Sequence, residues 1–242
     1  MMKKTDNIFA QYTDKNDFSF DGQVAEVFPD MIQRSVPGYD EILKNIANFS
    51  ARFVTDNSHC YDLGCSLGAS SLAMSAGISA ENVKIIGVDN SQAMLERCRY
   101  HINAFKHRTK IELHMGDIID FPIENASMVV LNFTLQFVPK AQREALLARI
   151  YAGLNPGGVL LLSEKIQFDN EQDNNLIIDL HHQFKRDNGY SELEISQKRS
   201  MLENVLVPET LPEHLSRLST IGFARSQCWF QQYNFVSIFA VK

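Results

Sequence analysis

Residues 59–68, His59-Cys60-Tyr61-Asp62-Leu63-Gly64-Cys65-Ser66-Leu67-Gly68, decide how this chain is read. The stretch is a short apolar run that stops in a glycine-rich turn, and Ser70-Ser71-Leu72-Ala73-Met74 behind it starts a helix. Such a turn between a strand and a helix lets the backbone approach a ligand closely. A pyrophosphate cradle asks for Gly-x-Gly-x-x-Gly, and Gly64-x-Ser66-x-Gly68 matches that poorly. Asp62 lies just before the turn.

Moving outward, the chain alternates in type. Val83–Asp89 is a second buried strand, followed by Asn90-Ser91 as turn and helix cap and by the helix 92–105. Lys110–Asp117 is a third strand and Ser127–Val138 a fourth, apolar on both faces. The amphipathic helix 141–154 ends at Asn155-Pro156-Gly157-Gly158, and Gly158–Lys165 is a fifth strand. Near-continuous apolar strands alternating with helices predict an α/β fold with a mostly parallel sheet covered on both faces.

The flanks depart from this alternation. Residues 21–53 are a helical cover broken by Pro37-Gly38, and residues 1–20 are polar with scattered Phe, expected to be loosely ordered. Residues 166–208 are a helical insertion, with Asn188-Gly189 as a turn and Ser191-x-x-Glu194 as a capping box. Connections in such folds normally run ~2–6 residues, so an insertion of this size is expected to form a lid or a dimer interface. A helix closed by Gly222 and an antiparallel hairpin over 226–242 complete a single domain, residues 1–242.

Composition excludes several classes. The 242 residues are 45% hydrophobic and 21% charged, the profile of an ordinary globular chain with enough length for a real core. The net charge of −6 argues against gripping nucleic acid over a broad face. The N-terminus carries two lysines but no apolar run behind them, so no signal peptide and no membrane span are expected. Cys60, Cys65, Cys98 and Cys228 form no C-x-x-C pair, so a cytoplasmic location with reduced thiols and no metal is expected.

Asp-x-Gly-x-x-x-Gly from Asp62 to Gly68, the second-strand acid Asp89, Gly116-Asp117 and Asn155–Gly158 form an ordered set. Together they resemble a class I S-adenosylmethionine-dependent methyltransferase with its Rossmann-like sheet. The other reading is a different doubly wound domain that uses these glycines only as turns. The resemblance implies that Gly64 to Ser66 lie along the ribose and methionine part of S-adenosylmethionine. Asp89 would hold the ribose hydroxyls, Asn90 the neighbouring adenosine edge, and Asp117 and Ile118 the adenine. Asn132 would face the methionine part near the sulfonium, its alternative being a plain turn residue.

No base or nucleophile is evident beside the sulfonium. Asn132-Phe133-Thr134 is not the N-P-P-Y signature of amino-group methyltransferases, and Cys65 reads as a small packing residue. His181 and His182 are adjacent on a helix and point to different faces, one to the core and one to the surface, a poor metal pair. Lys185-Arg186 and Lys198-Arg199 read mostly as solvated faces, although an arginine in a lid also suits a substrate carboxylate.

EVFPDMIQRSVPGY (26–39), YDLGCSLGA (61–69), NFTLQF (132–137), DLHHQFKR (179–186) and NGYSELEISQKRSMLENV (188–205) carry a closer likeness. Together they resemble the bacterial carboxy-S-adenosylmethionine synthase family over nearly the whole chain. The resemblance implies a homodimer that takes S-adenosylmethionine and prephenate to carboxy-S-adenosylmethionine, phenylpyruvate and water. The sulfonium methyl loses a proton and the resulting ylide captures the carbon dioxide unit. A separate tRNA carboxymethyltransferase then uses the product on a wobble uridine, so no direct tRNA binding is expected here. Tyr39, Gly64, Cys65, Ser66, Asp89, Asn90, Asp117, Ile118, Asn132 and Arg199 would line the site, with Arg199 gripping the new carboxylate, in one version across the dimer interface. The competing functions are a methyltransferase acting on a small molecule or RNA, and a non-catalytic subunit that only binds S-adenosylmethionine.

Overall fold

The computed structural model describes residues 5–12, 18–203 and 205–242. Seven strands form one sheet: β1 His59–Leu63, β2 Lys84–Asp89, β3 Lys110–Met115, β4 Ala126–Asn132, β5 Leu154–Lys165, β6 Arg225–Gln232 and β7 Phe235–Val241, in the order β3-β2-β1-β4-β5-β7-β6. β1 to β5 pair in parallel, and β7 runs antiparallel between β5 and β6. The expected mostly parallel sheet with a C-terminal antiparallel hairpin is therefore present.

Strand phase divides the core. Val129 and Leu131 of β4 and Leu160 and Leu162 of β5 face one layer, closed by Leu146, Leu147 and Ile150 of α5 (Lys140–Gly153) and Leu218 of α8 (Leu211–Ile221). Met128, Val130, Val159 and Leu161 face the other, closed by Ile42 and Ile46 of α2 (Tyr39–Phe53) and Met74 of α3 (Ala69–Gly77). Side chains alternate across a strand, so a central strand covered on both faces must be apolar at every position. The remaining helices are α1 (Gly22–Ser35), α4 (Gln92–Ala104), α6 (Glu171–Asp187) and α7 (Glu192–Glu203). The capping box at α7 forms as expected, with the Glu194 N–H donating to Ser191 Oγ at 3.3 Å and the Ser191 N–H to Glu194 Oε2 at 2.8 Å.

Three boundaries differ from the sequence reading. The fourth strand stops at Asn132; Phe133 turns at φ 61° and Leu135–Phe137 form a 3₁₀ turn. Leu135 of this turn is buried, but buried Glu164 accepts its N–H at 3.1 Å and pulls the chain out of the strand. The fifth strand starts earlier, at Leu154, and takes in Asn155–Gly158 through an irregularity in its pairing with β4. The third difference is the N-terminus, where Asp6 and Phe9 are packed rather than loose. Asp6 is 1% and Phe9 2% exposed, Arg34 donates to the Asp6 carbonyl at 3.0 Å, and Gln197 of α7 donates to the Phe9 carbonyl at 2.9 Å. The rest of that expectation concerns residues 1–4 and 13–17, which lie outside the described residues.

Candidate functional site

The order β3-β2-β1-β4-β5 reverses direction between β1 and β4, and ligands of open parallel sheets bind at that switch point, outside the carboxyl ends of the strands. A cavity of about 450 Å³ lies there, within the ~300–1,000 Å³ range of small-molecule sites. Seven expected residues are on its wall: Gly64, Ser66, Asp89, Asn90, Asp117, Ile118 and Asn132. Each follows or ends a strand, so the wall runs across the sheet from Asp117 beyond β3, through Asp89 and Gly64, to Asn132 at the end of β4.

The glycine turn is held by backbone bonds. Gly64 and Cys65 N–H both donate to the Val88 carbonyl, at 2.8 and 3.0 Å. Gly64 has φ +80°, and a Cβ there would fall 2.4 Å from Thr134 Cγ2, so only glycine allows the turn to press against the loop after β4. Ser66, also at positive φ (47°), donates its N–H to Asp89 Oδ2 at 2.8 Å, while the Ser91 N–H donates to Asp89 Oδ1 at 2.8 Å. Burial raises the Asp89 pKa, opposed by the N–H donors of Ser91, Ser66 and Asn90. The carboxylate is thereby oriented with one donor on each oxygen, and each oxygen retains a lone pair, which suits a vicinal pair of hydroxyls. Asp62 sits behind the turn and off the wall. Burial pushes its carboxyl up to about 6, against the hydrogen bond from Ser71 Oγ at 2.6 Å.

Beyond Asp89 the wall is apolar. Asp117 Oδ1 accepts the Ile119 N–H at 2.9 Å, and Ile118 is 8% exposed. Phe18, Phe20, Phe28 and Phe137 form an edge-to-face cluster on the same cavity, with Phe20 5.4 Å from Phe137. Ser91 Oγ donates to the Phe20 carbonyl at 2.6 Å and ties this aromatic cover to the Asp89 turn. The sequence reading assigned these phenylalanines no place on the site; the signal for Phe18 and Phe20 was the scatter of Phe in a polar N-terminus, while Phe28 and Phe137 stand in the stretches that carry the family likeness.

Asn132 marks the middle. Its Nδ2 donates to Ser70 Oγ at 3.1 Å, and its Oδ1 is buried with no hydrogen-bond partner among the described residues. A buried acceptor left open beside a cavity suits a ligand that brings positive charge or a donor.

Past Asn132 the cavity is cationic. Lys165 at the end of β5, Lys185 of α6 and Lys198 of α7 line it together with His181 and Ser35. Lys198 Nζ donates to Ser35 Oγ at 2.9 Å and lies 3.7 Å from Asp6 Oδ2, which also accepts from the Tyr190 hydroxyl. Burial and then the charges of Lys198, Lys165 and Arg199 bring Lys185 down to about 7; burial brings Lys198 down to about 8, against the charge of Asp6. Burial and then the Lys185 charge bring His181 down to about 2, and its Nε2 bonds the Ser35 carbonyl at 2.8 Å, which requires the proton on Nε2.

This corrects the reading of the basic pairs as mostly solvated faces. In each pair the lysine points into the cavity and the arginine outward: Arg186 to Glu192 at 3.0 Å, Arg199 to Glu203 at 2.7 Å. Arg199 is thus 54% exposed in the single chain and off the wall. Tyr39 is also off it, packed 6.5 Å from the Phe133 ring, with its hydroxyl pKa raised by burial and then by Asp62. Cys65, which the resemblance places on the site, is off the wall as well: it is buried behind the turn, in the packing role its residue type suggested. His181 is buried and His182 half-buried, so the histidine pair divides between core and surface as expected.

Residues 61–158 match the methyltransferase domain family. The carboxy-S-adenosyl-L-methionine synthase of Pseudoalteromonas translucida is 56% identical over 98% of this chain and 98% of its own. That of Photorhabdus laumondii is 58% identical over 98% of this chain and 94% of its own. In fold, the chain is similar to human N-acetylserotonin methyltransferase, solved with S-adenosylmethionine: TM-score 0.60 and 20% identity, covering 91% of this chain and 55% of that one. Among the described residues no helix is long and apolar enough to cross a membrane.

Proposed function

The chain belongs to the carboxy-S-adenosyl-L-methionine synthase family, enzymes that make carboxy-S-adenosylmethionine, and from that premise we propose that its carboxyl donor is prephenate. The single observation that carries the proposal is the polarity of the cavity along the sheet. A nucleoside-shaped end with an oriented carboxylate at Asp89 is separated by Asn132 from an end with three lysines. Four strand spacings from β3 to β5 make ~19 Å, room for an extended nucleoside amino acid and a small anion beside its sulfonium. A neutral methyl acceptor would have no use for the lysines.

S-adenosylmethionine lies with its ribose on Asp89, its adenine between Ile118 and the phenylalanine cover, and its sulfonium near Asn132 Oδ1. Prephenate occupies the lysine end. Loss of carbon dioxide and hydroxide makes its ring aromatic; hydroxide takes a proton from the sulfonium methyl as water, and the methyl carbon bonds to the carbon dioxide carbon. Phenylpyruvate and water leave. No protein base is needed for this balance, and His181, held neutral, does not compete for the proton. The aromatic cover and the insertion keep bulk water from protonating the carbon.

The insertion serves as lid and as homodimer interface. Leu176, Leu180 and Leu193 are exposed on α6 and α7, and their burial in a dimer would bring Arg199 of one copy to the carboxylate formed in the other. The product passes in the cytoplasm to a tRNA carboxymethyltransferase acting on a wobble uridine.

The test is a mass spectrum of the nucleosides formed from S-adenosylmethionine with and without prephenate. A species heavier by one carbon dioxide unit, formed only with prephenate, is expected. Absence of that species, with S-adenosylhomocysteine appearing when an acceptor is supplied, would replace the proposal with a methyltransferase.

A further inference from the structure

We infer that Lys165 and Lys185 are the carboxylate-binding pair for the second substrate, and that this end of the cavity is built for a small dianion. The inference rests on the donor reading above and assigns its contacts.

Charge balance leads to it. Four cations gather at this end: Lys165, Lys185, Lys198 and Arg199. Two are already answered by the chain. Lys198 has Asp6 at 3.7 Å and Ser35 Oγ at 2.9 Å, and Arg199 holds Glu203 at 2.7 Å. Lys185 is 7% exposed and Lys165 half-buried, and neither ammonium group has a hydrogen-bond or ion-pair partner among the described residues. Glu203, the acid whose charge reaches Lys165, is engaged by Arg199. Burial depresses the pKa of all three lysines, and like charge adds to it: Lys198, Lys165 and Arg199 at Lys185, Arg199 at Lys165, and Arg34 at Lys198.

A buried ammonium group without a partner is costly, and the usual remedy is a counter-charge. Among the described residues the fold supplies none, while the groups face a cavity rather than solvent. Lys165 and Lys185, the latter brought down to about 7 and taking up its full charge as an anion binds, together match two negative charges on the ligand. The pair comes from two elements, the end of β5 and the last turn of α6, so it can hold two carboxylates of one molecule from different sides. Phe133 and Phe235 on the adjoining wall, 5.8 Å apart, provide an apolar surface for the ring between them. The fixed neighbour Lys198 keeps α7 anchored to the N-terminal segment through Asp6 and excludes that acid from Lys185.

The experiment titrates prephenate into the full chain saturated with S-adenosylhomocysteine, by calorimetry, for wild type and for Lys185→Met, Lys165→Met, Lys185→Arg and Lys165→Arg. Each Met variant should raise the prephenate Kd and KM at least tenfold, leave the S-adenosylmethionine Kd within twofold, and raise the melting temperature of the ligand-free protein, because an unanswered buried charge has been removed. Each Arg variant should restore prephenate binding to within a few fold. Wild-type prephenate affinity in the Met variants, or a lowered melting temperature in them, would overturn the assignment. Normal prephenate binding in Lys185→Arg with a collapsed kcat would replace it with proton transfer by Lys185. A wild-type chain that forms carboxylated product but binds prephenate independently of both lysines would overturn the pair alone. One that neither binds prephenate nor forms the product would overturn the donor reading and the pair with it.

Discussion

Replacing Asp89 with alanine should damage nucleoside binding far more than folding, and the structure sets both magnitudes. The carboxylate accepts N–H groups from Ser66 and Ser91, each at 2.8 Å, and keeps one lone pair per oxygen toward the cavity. Hydrogen bonds to a charged group contribute ~1.5–3 kcal/mol each, so losing two ribose contacts costs ~3–6 kcal/mol of binding. At ~1.4 kcal/mol per decade that is a rise of ~10²–10⁴-fold in the S-adenosylmethionine Kd. The two orphaned N–H groups cost a further ~2 kcal/mol in stability once water has partly replaced the carboxylate. For a chain of this size that is a fall of ~4–8 °C in melting temperature. Asp89→Asn should fall between, because its amide oxygen can still accept while its NH₂ must face one of the two N–H donors. Calorimetric titration with S-adenosylmethionine and thermal unfolding read the two effects separately. A Kd within fivefold of wild type, in a variant whose melting temperature has dropped as expected, would remove Asp89 from the ribose and refute the reasoning.

Two other outcomes follow from the same turn. Gly64→Ala must keep φ near +80° and set a methyl 2.4 Å from Thr134 Cγ2, at a cost of ~2–5 kcal/mol from strain and overlap. Gly64→Ala combined with Thr134→Ala should recover the overlap part but not the backbone part in urea unfolding; equal stability of the single variant and wild type would show that the turn yields freely. Asp62 is raised by burial from 3.8 to about 6, so it favours the folded state while protonated: its contribution is complete below about pH 4 and is lost as pH rises to about 6. A shift of about two units corresponds to ~3 kcal/mol. Asp62→Asn, neutral at every pH, should lose correspondingly less stability than wild type between pH 4 and 6.5 in denaturant titrations, and parallel profiles would contradict the burial account.

Much of this protein follows from its local sequence. The alternation of apolar strands with helices is a local pattern, and it is enough to order the elements and call the sheet parallel. Gly64, Ser66, Asp89, Asp117 and Asn132 were legible for a related reason: each lies at or just beyond a strand's carboxyl end, and a parallel sheet brings those ends to one edge. The capping box at Ser191 and Glu194 depends on two residues one helical turn apart. Tertiary structure alone decided the cationic end. Lys165, Lys185 and Lys198 belong to a strand and two helices, and only the packed phase of those helices turns each lysine inward and each following arginine outward. It also decided that Asp6 and Phe9 are buried, because their partners, Tyr190, Lys198 and Gln197, lie more than 180 residues away in sequence. The end of the fourth strand was decided in the same way. Its apolar run continues through Phe137, but the Glu164 carboxylate from the next strand captures the Leu135 N–H, and no pattern within the run could announce that competitor.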